Sequence, residues 1–406
     1  MGTLSVDKIL KTSTGAAEFT LPATDGTAGQ VMQTDGSGQL SLADVGTGGN
    51  DVITANAVGT TQIAAGAVTS NEMAANAIVT TAITDANVTP AKMSGPVPGA
   101  KNLIINGNFD VWQRGTSFTG ANDWTADRWL IHNNGTSPST TQQTFTPGQT
   151  DVPNFPKYYL RYNAGTSPSA VGEVNQRIED VTVLGGQQIT FTIWAKAASG
   201  TPNLGLAVIQ NFGSGGSSAN VQLNNATLWT LSTSWQKFTH TITIDSITGK
   251  TVGTSSYTQF RIKMAQDAIN KDVAQVQVER GAVSTTFEHN TFGQELLACQ
   301  RYFEKSYNTT DVPGVASQVP GFAYSTNNGN VLTQSPGAVF KVTKRSNPTI
   351  VVYNGVTGAS GKAYRTSDAS SQTVTVSHVG QSAIGYLNVP SSENGYIYHY
   401  TADSEL

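Results

Sequence analysis

The chain is 406 residues long, 38% hydrophobic and 12% charged, against roughly 45–50% and about 25% in ordinary soluble domains, with 41 glycines and a formal net charge of −4. Its low charge sets it apart from highly charged disordered chains, and the faintly acidic balance excludes a basic footprint for nucleic acid or a polybasic hold on a membrane. The single cysteine, Cys299, excludes an intrachain disulfide and a cysteine-rich zinc site, and is expected to be a buried, inert thiol.

No apolar run approaches the ~20 residues that span a bilayer, so no membrane insertion is expected. The opening MGTLSVDKILK has no signal-peptide core, which points to synthesis and assembly in a cytoplasm. Residues 1–50 are short strand-like pieces between glycine-rich turns. In GQVMQTDGSGQLSL, two alternating stretches flank Asp35-Gly36 and Ser37-Gly38, which predicts a hairpin. So small a unit is expected to order against copies of itself or against a larger particle.

Residues 51–100 carry the most regular pattern. Ile53, Val58, Ile63, Val68, Met73, Ile78, Ile83, Val88 and Met93 recur every five residues inside a ten-residue superperiod, ITANAVGTTQ, IAAGAVTSNE, MAANAIVTTA, ITDANVTPAK. A step of five makes no stripe on a helix and alternates faces on a strand, so neither element buries these side chains alone. Bent decapeptides returning their apolar residues to an axis shared with other chains resolve this. Closed cyclic symmetry supplies those chains, three being usual for fibres, and the expectation is a homotrimeric stalk. A disordered Ala/Thr linker is the alternative.

Residues 101–305 read as a globular β-domain, with period-two strands in QITFTIWAK, LGLAVIQ, FTHTITID, YTQFRIKMA and DVAQVQVER. Many short strands without intervening helices predict a sandwich or jelly roll. One helix is predicted in TFGQELLACQRYFEKS, with Leu296, Leu297, Gln300 and Phe303 near one side. Residues 306–406 read as a β-rich tip unit: VFKVTKRSNPTIVVY and QTVTVSHVGQSAIGYLNV as strands, and GYIYHYTADSEL as a docked terminal strand. The whole is mainly β: an intertwined trimeric repeat stalk, a β-sandwich or jelly-roll domain, and a C-terminal β-rich tip.

At NLIINGNFDVWQRG, at DRW and at AQVQVERGAVSTTFEHNTFGQELLACQRYFEKS the chain resembles a domain common in fibre and appendage proteins of tailed bacteriophages. Asn106, Gly107, Asn108, Phe109 and Asp110 resemble the opening of jelly-roll carbohydrate-binding modules. GTAGQVMQTDGSGQLSL, the decapeptides and FKVTKRSNPTIVVY resemble phage fibre segments. The resemblance implies a virion structural protein assembled in the host cytoplasm. Its partners would be other virion proteins through residues 1–50 and a host-surface glycan or protein through residues 101–406. A tail fibre is the first reading, a capsid-attached fibre or decoration protein the second, and a depolymerising tailspike the third. The resemblance also implies a structural calcium shared by Asp110 and Asp272, for which hydrogen-bonded caps are the alternative.

No catalysis is expected. The chain has no G-x-S-x-G, its five histidines lack ligand spacing, and the carboxylates available for a glycosidase pair (Glu173, Glu179, Asp180, Asp245, Asp272) read as solvated loop residues. Aromatic rings stack on sugar faces, which makes Trp124, Tyr324, Tyr353 and Tyr364 candidate ligand contacts, while Trp112, Trp129 and Trp194 read as core. Loops 311–336 and 354–372 are expected to carry specificity.

Overall fold

A computed structural model describes residues 8–10, 18–24, 27–34, 39–44, 101–120, 122–133, 138–165, 172–264, 267–318, 322–324, 334–389 and 395–406. The five-spaced residues Ile53 to Met93, and with them the stalk and its axis, lie outside the described residues. The chain divides into two compact units, Met1–Asn87 and Val88–Leu406.

In the first unit β1 (Lys8–Leu10) pairs antiparallel with β2 (Glu18–Thr20), and β3 (Gln30–Thr34) with β4 (Leu40–Asp44). The second pair is the hairpin that the alternating stretches around Asp35-Gly36 predict. Val31 and Met32 of β3 are exposed.

The second unit begins with a sandwich of two antiparallel sheets. Its strands are β5 (Ser117–Phe118), β6 (Leu130–Asn133), β7 (Ser139–Thr144), β8 (Tyr158–Asn163), β9 (Gly172–Glu179), β10 (Gln188–Ala197), β11 (Asn203–Asn211), β12 (Asn220–Thr230), β13 (Gln236–Thr243), β14 (Tyr257–Met264) and β15 (Lys271–Arg280). One sheet has the order β13-β10-β15-β8-β7-β5, the other β12-β11-β14-β9-β6. Strict alternation sends Ile189, Phe191, Ile193 and Ala195 of β10 and Leu204, Leu206 and Val208 of β11 into one shared core with Phe260, Ile262, Val273, Val276 and Val278.

The segment Asn102–Asp110 explains itself chemically. Asn106 and Phe109 have positive φ (57° and 56°), which a phenylalanine adopts only when its surroundings hold it there. Those surroundings are a core position for the Phe109 ring, 5.1 Å from that of Trp129, and a hub built on Asn106. The Asn106 side chain donates to the carbonyls of Val111 (2.8 Å) and Asp127 (3.0 Å) and accepts from the Val111 N–H, while its own carbonyl accepts from the Trp129 indole (2.9 Å). Gly107 lies against β15, where an added Cβ would collide with the carbonyl oxygen of Val276.

Helix α1 (Phe292–Gln300) starts on a capping box formed by Thr291 and Gln294. It turns Glu295, Cys299 and Gln300 inward and leaves Leu297 and Phe292 exposed, so of the side expected from Leu296, Leu297 and Gln300 only Gln300 is fully packed, and Phe303, also buried, lies beyond the helix in a strand. The reason is polar. The Glu295 carboxylate accepts from the backbone N–H of Asn106 and from Asn290 Nδ2, and so ties the helix to the Asn106 hub. Cys299 is fully buried and its thiol is pushed well up by desolvation, as expected of an inert cysteine.

The tip comprises β16 (Phe303–Lys305), β17 (Phe322–Tyr324), β18 (Gln334–Pro336), β19 (Thr349–Asn354), β20 (Lys362–Arg365), β21 (Ser370–Thr373), β22 (Thr375–Val379), β23 (Ile384–Asn388) and β24 (Tyr396–Asp403). The terminal strand β24 is docked at the centre, pairing with β16, β17, β19 and β20, while β18, β23 and β22 form a separate three-stranded sheet. Of FKVTKRSNPTIVVY only Thr349 onward is strand. The preceding turn is held by a fully buried ion pair, Lys344 Nζ to Glu304 Oε2 at 2.7 Å, whose remaining groups are satisfied by the carbonyls of Gln300 and Val342, the Lys341 N–H and the Tyr400 hydroxyl. Segment 354–372 is not one loop, since it contains β20.

A second buried ionic cluster locks the tip to the sandwich. Arg114 reaches Asp403 (3.0 Å) and Glu405 (3.4 Å), Arg128 pairs with Glu405, and Arg177 donates to the carbonyl of Leu406. Arg128 also lies over the Tyr302 ring and Arg114 over Phe303. Because Arg128 and Glu405 are both buried, removing one partner strands the other. Glu405→Gln is therefore expected to cost about 3–5 kcal/mol, read as a lowered urea midpoint for the second unit.

Two further outcomes follow from the same packing. Gly107→Ala, by forcing Val276 away, is expected to lower the thermal midpoint of the sandwich, measured by calorimetry. His399 is buried, with Nδ1 2.9 Å from Ser306 Oγ and Nε2 2.8 Å from the Ser317 carbonyl, and desolvation lowers its pKa from 6.5. The native state thus prefers the neutral ring. The unfolded chain binds more protons below pH 6.5, so this contribution is complete above that value and is lost as pH falls through the folded pKa. Denaturation midpoints from pH 8 to 5 should fall less steeply for His399→Gln than for the unchanged chain.

Candidate functional site

The outer face of the six-stranded sheet carries the side chains that alternate with the core. On β10 these are Thr192, Trp194 and Lys196, on β13 Lys237 and Thr239, and on β8 Tyr159 and Arg161. Strand β15 departs from strict alternation. Val273, Val276 and Val278 face the core, while Ala274, Gln275 and Gln277 face out. Gln277 pairs with Thr192 and Ala274 with Trp194, so two residues, Gln275 and Val276, oppose Ile193 alone, and Gln275 has φ +45°. This β-bulge turns two consecutive side chains outward and puts both glutamines on one surface.

An aromatic ridge stands beside the bulge. Phe145, Tyr159 and Trp235 have ring centroids 4.8, 5.2 and 5.3 Å apart, and with Trp194 they cover the buried side chains of Val152 and Ala274. Lys196 Nζ lies 5.2 Å from the Trp235 ring. Next to the ridge is a cavity of about 290 Å³ with Thr192, Trp194, Gln275 and Gln277 on its floor and Lys237 at its edge.

Both walls are fixed by the chain itself. On one side Ser284 Oγ meets Thr192 Oγ1 at 3.0 Å, the Glu279 carboxylate accepts from the N–H and hydroxyl of Thr285, and Glu288 N–H donates to Gln277 Oε1 at 2.9 Å. On the other, Gln275 Nε2 donates to the Pro153 carbonyl at 2.7 Å, and the Gln149 side chain braces Val152 through two further bonds. The cavity is therefore formed without a ligand, as small-ligand sites usually are.

Gln277 is only 1% exposed, yet its Nε2 has no acceptor. Such a group costs about 1–3 kcal/mol when left unmade. Lys237 is exposed at the same cavity, without a partner among the described residues. A flat aromatic floor with a few fixed amide, hydroxyl and ammonium groups suits a polar ring-shaped ligand.

The residues singled out in the sequence are distributed as follows. Asp272 accepts two charge-assisted hydrogen bonds from Arg161, at 2.7 and 2.9 Å, with Lys196 Nζ 3.9 Å away. Asp110 accepts from Asn108 Nδ2, is raised in pKa by burial, and lines a different cavity of about 550 Å³ with Lys157 and Asp311. Asp110 and Asp272 thus have separate partners, and among the described residues there is no group of three or more His, Cys, Asp or Glu side chains that could hold a metal.

Trp124 is half-buried between the guanidiniums of Arg114 and Arg177, 5.9 and 6.0 Å from its ring. Tyr353 packs edge-on to Tyr307, Tyr364 lies on β20 opposite Ile397, and Tyr324 lies on β17 opposite Tyr396. None of these four lines the cavity beside the bulge. The other carboxylates each have structural partners: Glu173 has Lys263 and Arg261, Glu179 has Arg301, Asp180 caps Thr182, and Asp245 accepts from Asn220 and Gln222.

Trp112 and Trp129 are core, but Trp194 is not: the period of two that buries Ile193 turns its neighbour outward. Sequence reading also missed Gln275, Gln277, Lys237, Tyr159 and Trp235. The available signal was the spacing of the valines in VAQVQV, three and then two, which breaks the period where the bulge forms.

No family model and no curated protein matches the chain. Among solved structures it is similar to the enzymatically active domain of tailspike protein 4 of bacteriophage CBA120 (14% identity, TM-score 0.29, 44% of this chain), of which it spans about a fifth (21%) of the length. It is also similar to the CBM22-1 xylan-binding domain of Paenibacillus barcinonensis Xyn10C (13% identity, TM-score 0.28, 42% of this chain and 99% of that one). A third is a cyclase from Fischerella sp. TAU (11% identity, TM-score 0.33, 46% of this chain and 99% of that one).

Proposed function

We propose that this chain is a non-catalytic phage virion fibre whose sandwich domain binds a glycan on the outer face of its six-stranded sheet. The observation that carries the reading is the preformed cavity beside the bulge, where Trp194 and the ridge of Phe145, Tyr159 and Trp235 adjoin two fixed glutamines. Aromatic faces complement the apolar faces of sugar rings, and the amides complement their hydroxyls. Carboxylates committed to arginine, lysine and backbone partners support a binding role over hydrolysis. In this reading residues 1–50 hold the virion, the five-spaced repeat forms a trimeric stalk, and the second unit faces the host. Each cavity is small and its affinity modest, and three copies on one stalk offset that through effective concentration.

The test is binding of the full chain to an array of bacterial surface polysaccharides, followed by titration of the bound members. Trp194→Ala is expected to weaken binding about tenfold or more, since stacking and ring burial are worth on the order of 1–2 kcal/mol. An array with no bound member, or a Trp194→Ala chain that binds unchanged, would refute the assignment.

A further inference from the structure

The polar groups facing the cavity beside the bulge are unequal in kind. Two amides are oriented by backbone partners: Gln277 Oε1 is taken by the Glu288 N–H, and Gln275 Nε2 is spent on the Pro153 carbonyl. Neither amide can therefore turn over without losing a bond, which leaves Gln277 Nε2 as an uncommitted donor and Gln275 Oε1 as an uncommitted acceptor. The hydroxyl of Thr192 is engaged with Ser284, and that of Thr285 donates to Glu279. Among the described residues lining it the one charged group is the ammonium of Lys237, while the Glu279 carboxylate, outside the lining, is bonded to Thr285. Lys237 sits directly across from Trp194 in the β10–β13 register, and both line the cavity.

We infer that the cavity takes an acidic saccharide. The sugar ring lies on Trp194, its anionic group accepts from Gln277 Nε2 and Lys237 Nζ, and a ring hydroxyl donates to Gln275 Oε1. This rests on the glycan-binding reading above and adds the charge of the ligand. A neutral sugar would satisfy the buried Gln277 donor through a hydroxyl but would leave Lys237 without a counter-charge. An anion satisfies both, and hydrogen bonds between ionised partners are roughly twice as strong as neutral ones. The anionic group is a carboxylate or a phosphate, which the same donors recognise alike.

The experiment uses the full chain on an array of bacterial polysaccharides of both kinds, uronic-acid or pyruvylated and phosphorylated on one side, neutral on the other. Bound members are expected to be acidic, to lose binding after carboxyl reduction if the group is a carboxylate or after hydrofluoric acid dephosphorylation if it is a phosphate, and to bind more weakly as sodium chloride is raised. Lys237→Gln, on the surface, is expected to lower affinity for the acidic member roughly tenfold, and Gln277→Glu, which keeps the Oε1 that holds Glu288, roughly a hundredfold. Binding confined to neutral members, or a Lys237→Gln chain with unchanged affinity and salt dependence, overturns the acidic assignment and leaves the glycan reading standing. An array with no bound member overturns both.

Discussion

The backbone of Val276 is the constraint on which the sandwich and its outer face both depend. At the bulge its N–H and C=O leave the ladder, and a buried strand cannot keep such groups unpaired. They are taken up from outside the sheet: the N–H donates to the Gly107 carbonyl at 2.8 Å, and the C=O accepts from Asn102 Nδ2 at 3.1 Å. Asn102 Oδ1 then accepts from Val278 N–H, and Leu103 N–H donates to Val278 O, so residues 102–107 take over the edge of β15 where its pairing with β8 stops at Val273. Asn102, Asn106 and Gly107 are required there for different reasons: two carboxamides as paired donors and acceptors, and one residue without a Cβ. A segment 170 residues away in sequence thus holds the irregularity that puts Gln275 and Gln277 on the same surface.

Buried charge is paired both within the tip and between tip and sandwich, although Arg114 Nη1 and Arg128 Nε find no acceptor among the described residues. Glu304 and Lys344 have every group satisfied, and Arg114 and Arg128 converge on Asp403 and Glu405. Such pairs contribute little net stability against apolar replacements, but each fixes one geometry, because either partner alone is costly. At the cavity beside the bulge Gln277 Nε2 is buried without an acceptor, and Lys237 has no counter-ion, among the described residues. A buried donor without an acceptor lowers stability in the free protein.

Much of the fold was legible because it rests on local periodicity. The strands in QITFTIWAK, LGLAVIQ, FTHTITID, YTQFRIKMA and DVAQVQVER, the terminal strand over YIYHYTAD and the early hairpin all lie where alternation and turn residues put them. What escaped rests on contacts that no window contains. Glu295 faces inward because it bonds Asn106, 189 residues away, which no hydrophobic pattern around Leu296 and Leu297 could reveal. The Arg128–Glu405 pair spans 277 residues. Trp194 was misplaced for a different reason: a tryptophan within an apolar run reads as core, and only the phase of the alternation, fixed by Ile189, Phe191 and Ile193, sends it out.

The two outer faces of the sandwich have also been given different tasks. On the five-stranded sheet, Arg177 of β9 reaches the carbonyl of Leu406 and stacks on Tyr257 of β14, and Glu179 holds Arg301 through two bonds of 3.1 and 3.0 Å. That face is where the tip and its terminal residues settle. The six-stranded sheet carries neither of these contacts, and its outward residues instead bond the short loops at its own ends, Thr192 to Ser284 and Gln275 to Pro153. The domain thus anchors a neighbour on one sheet and carries the cavity beside the bulge on the other. Substitution of Lys237 is then not expected to loosen the tip, because neither the Val276 bulge nor the Arg128–Glu405 lock passes through it.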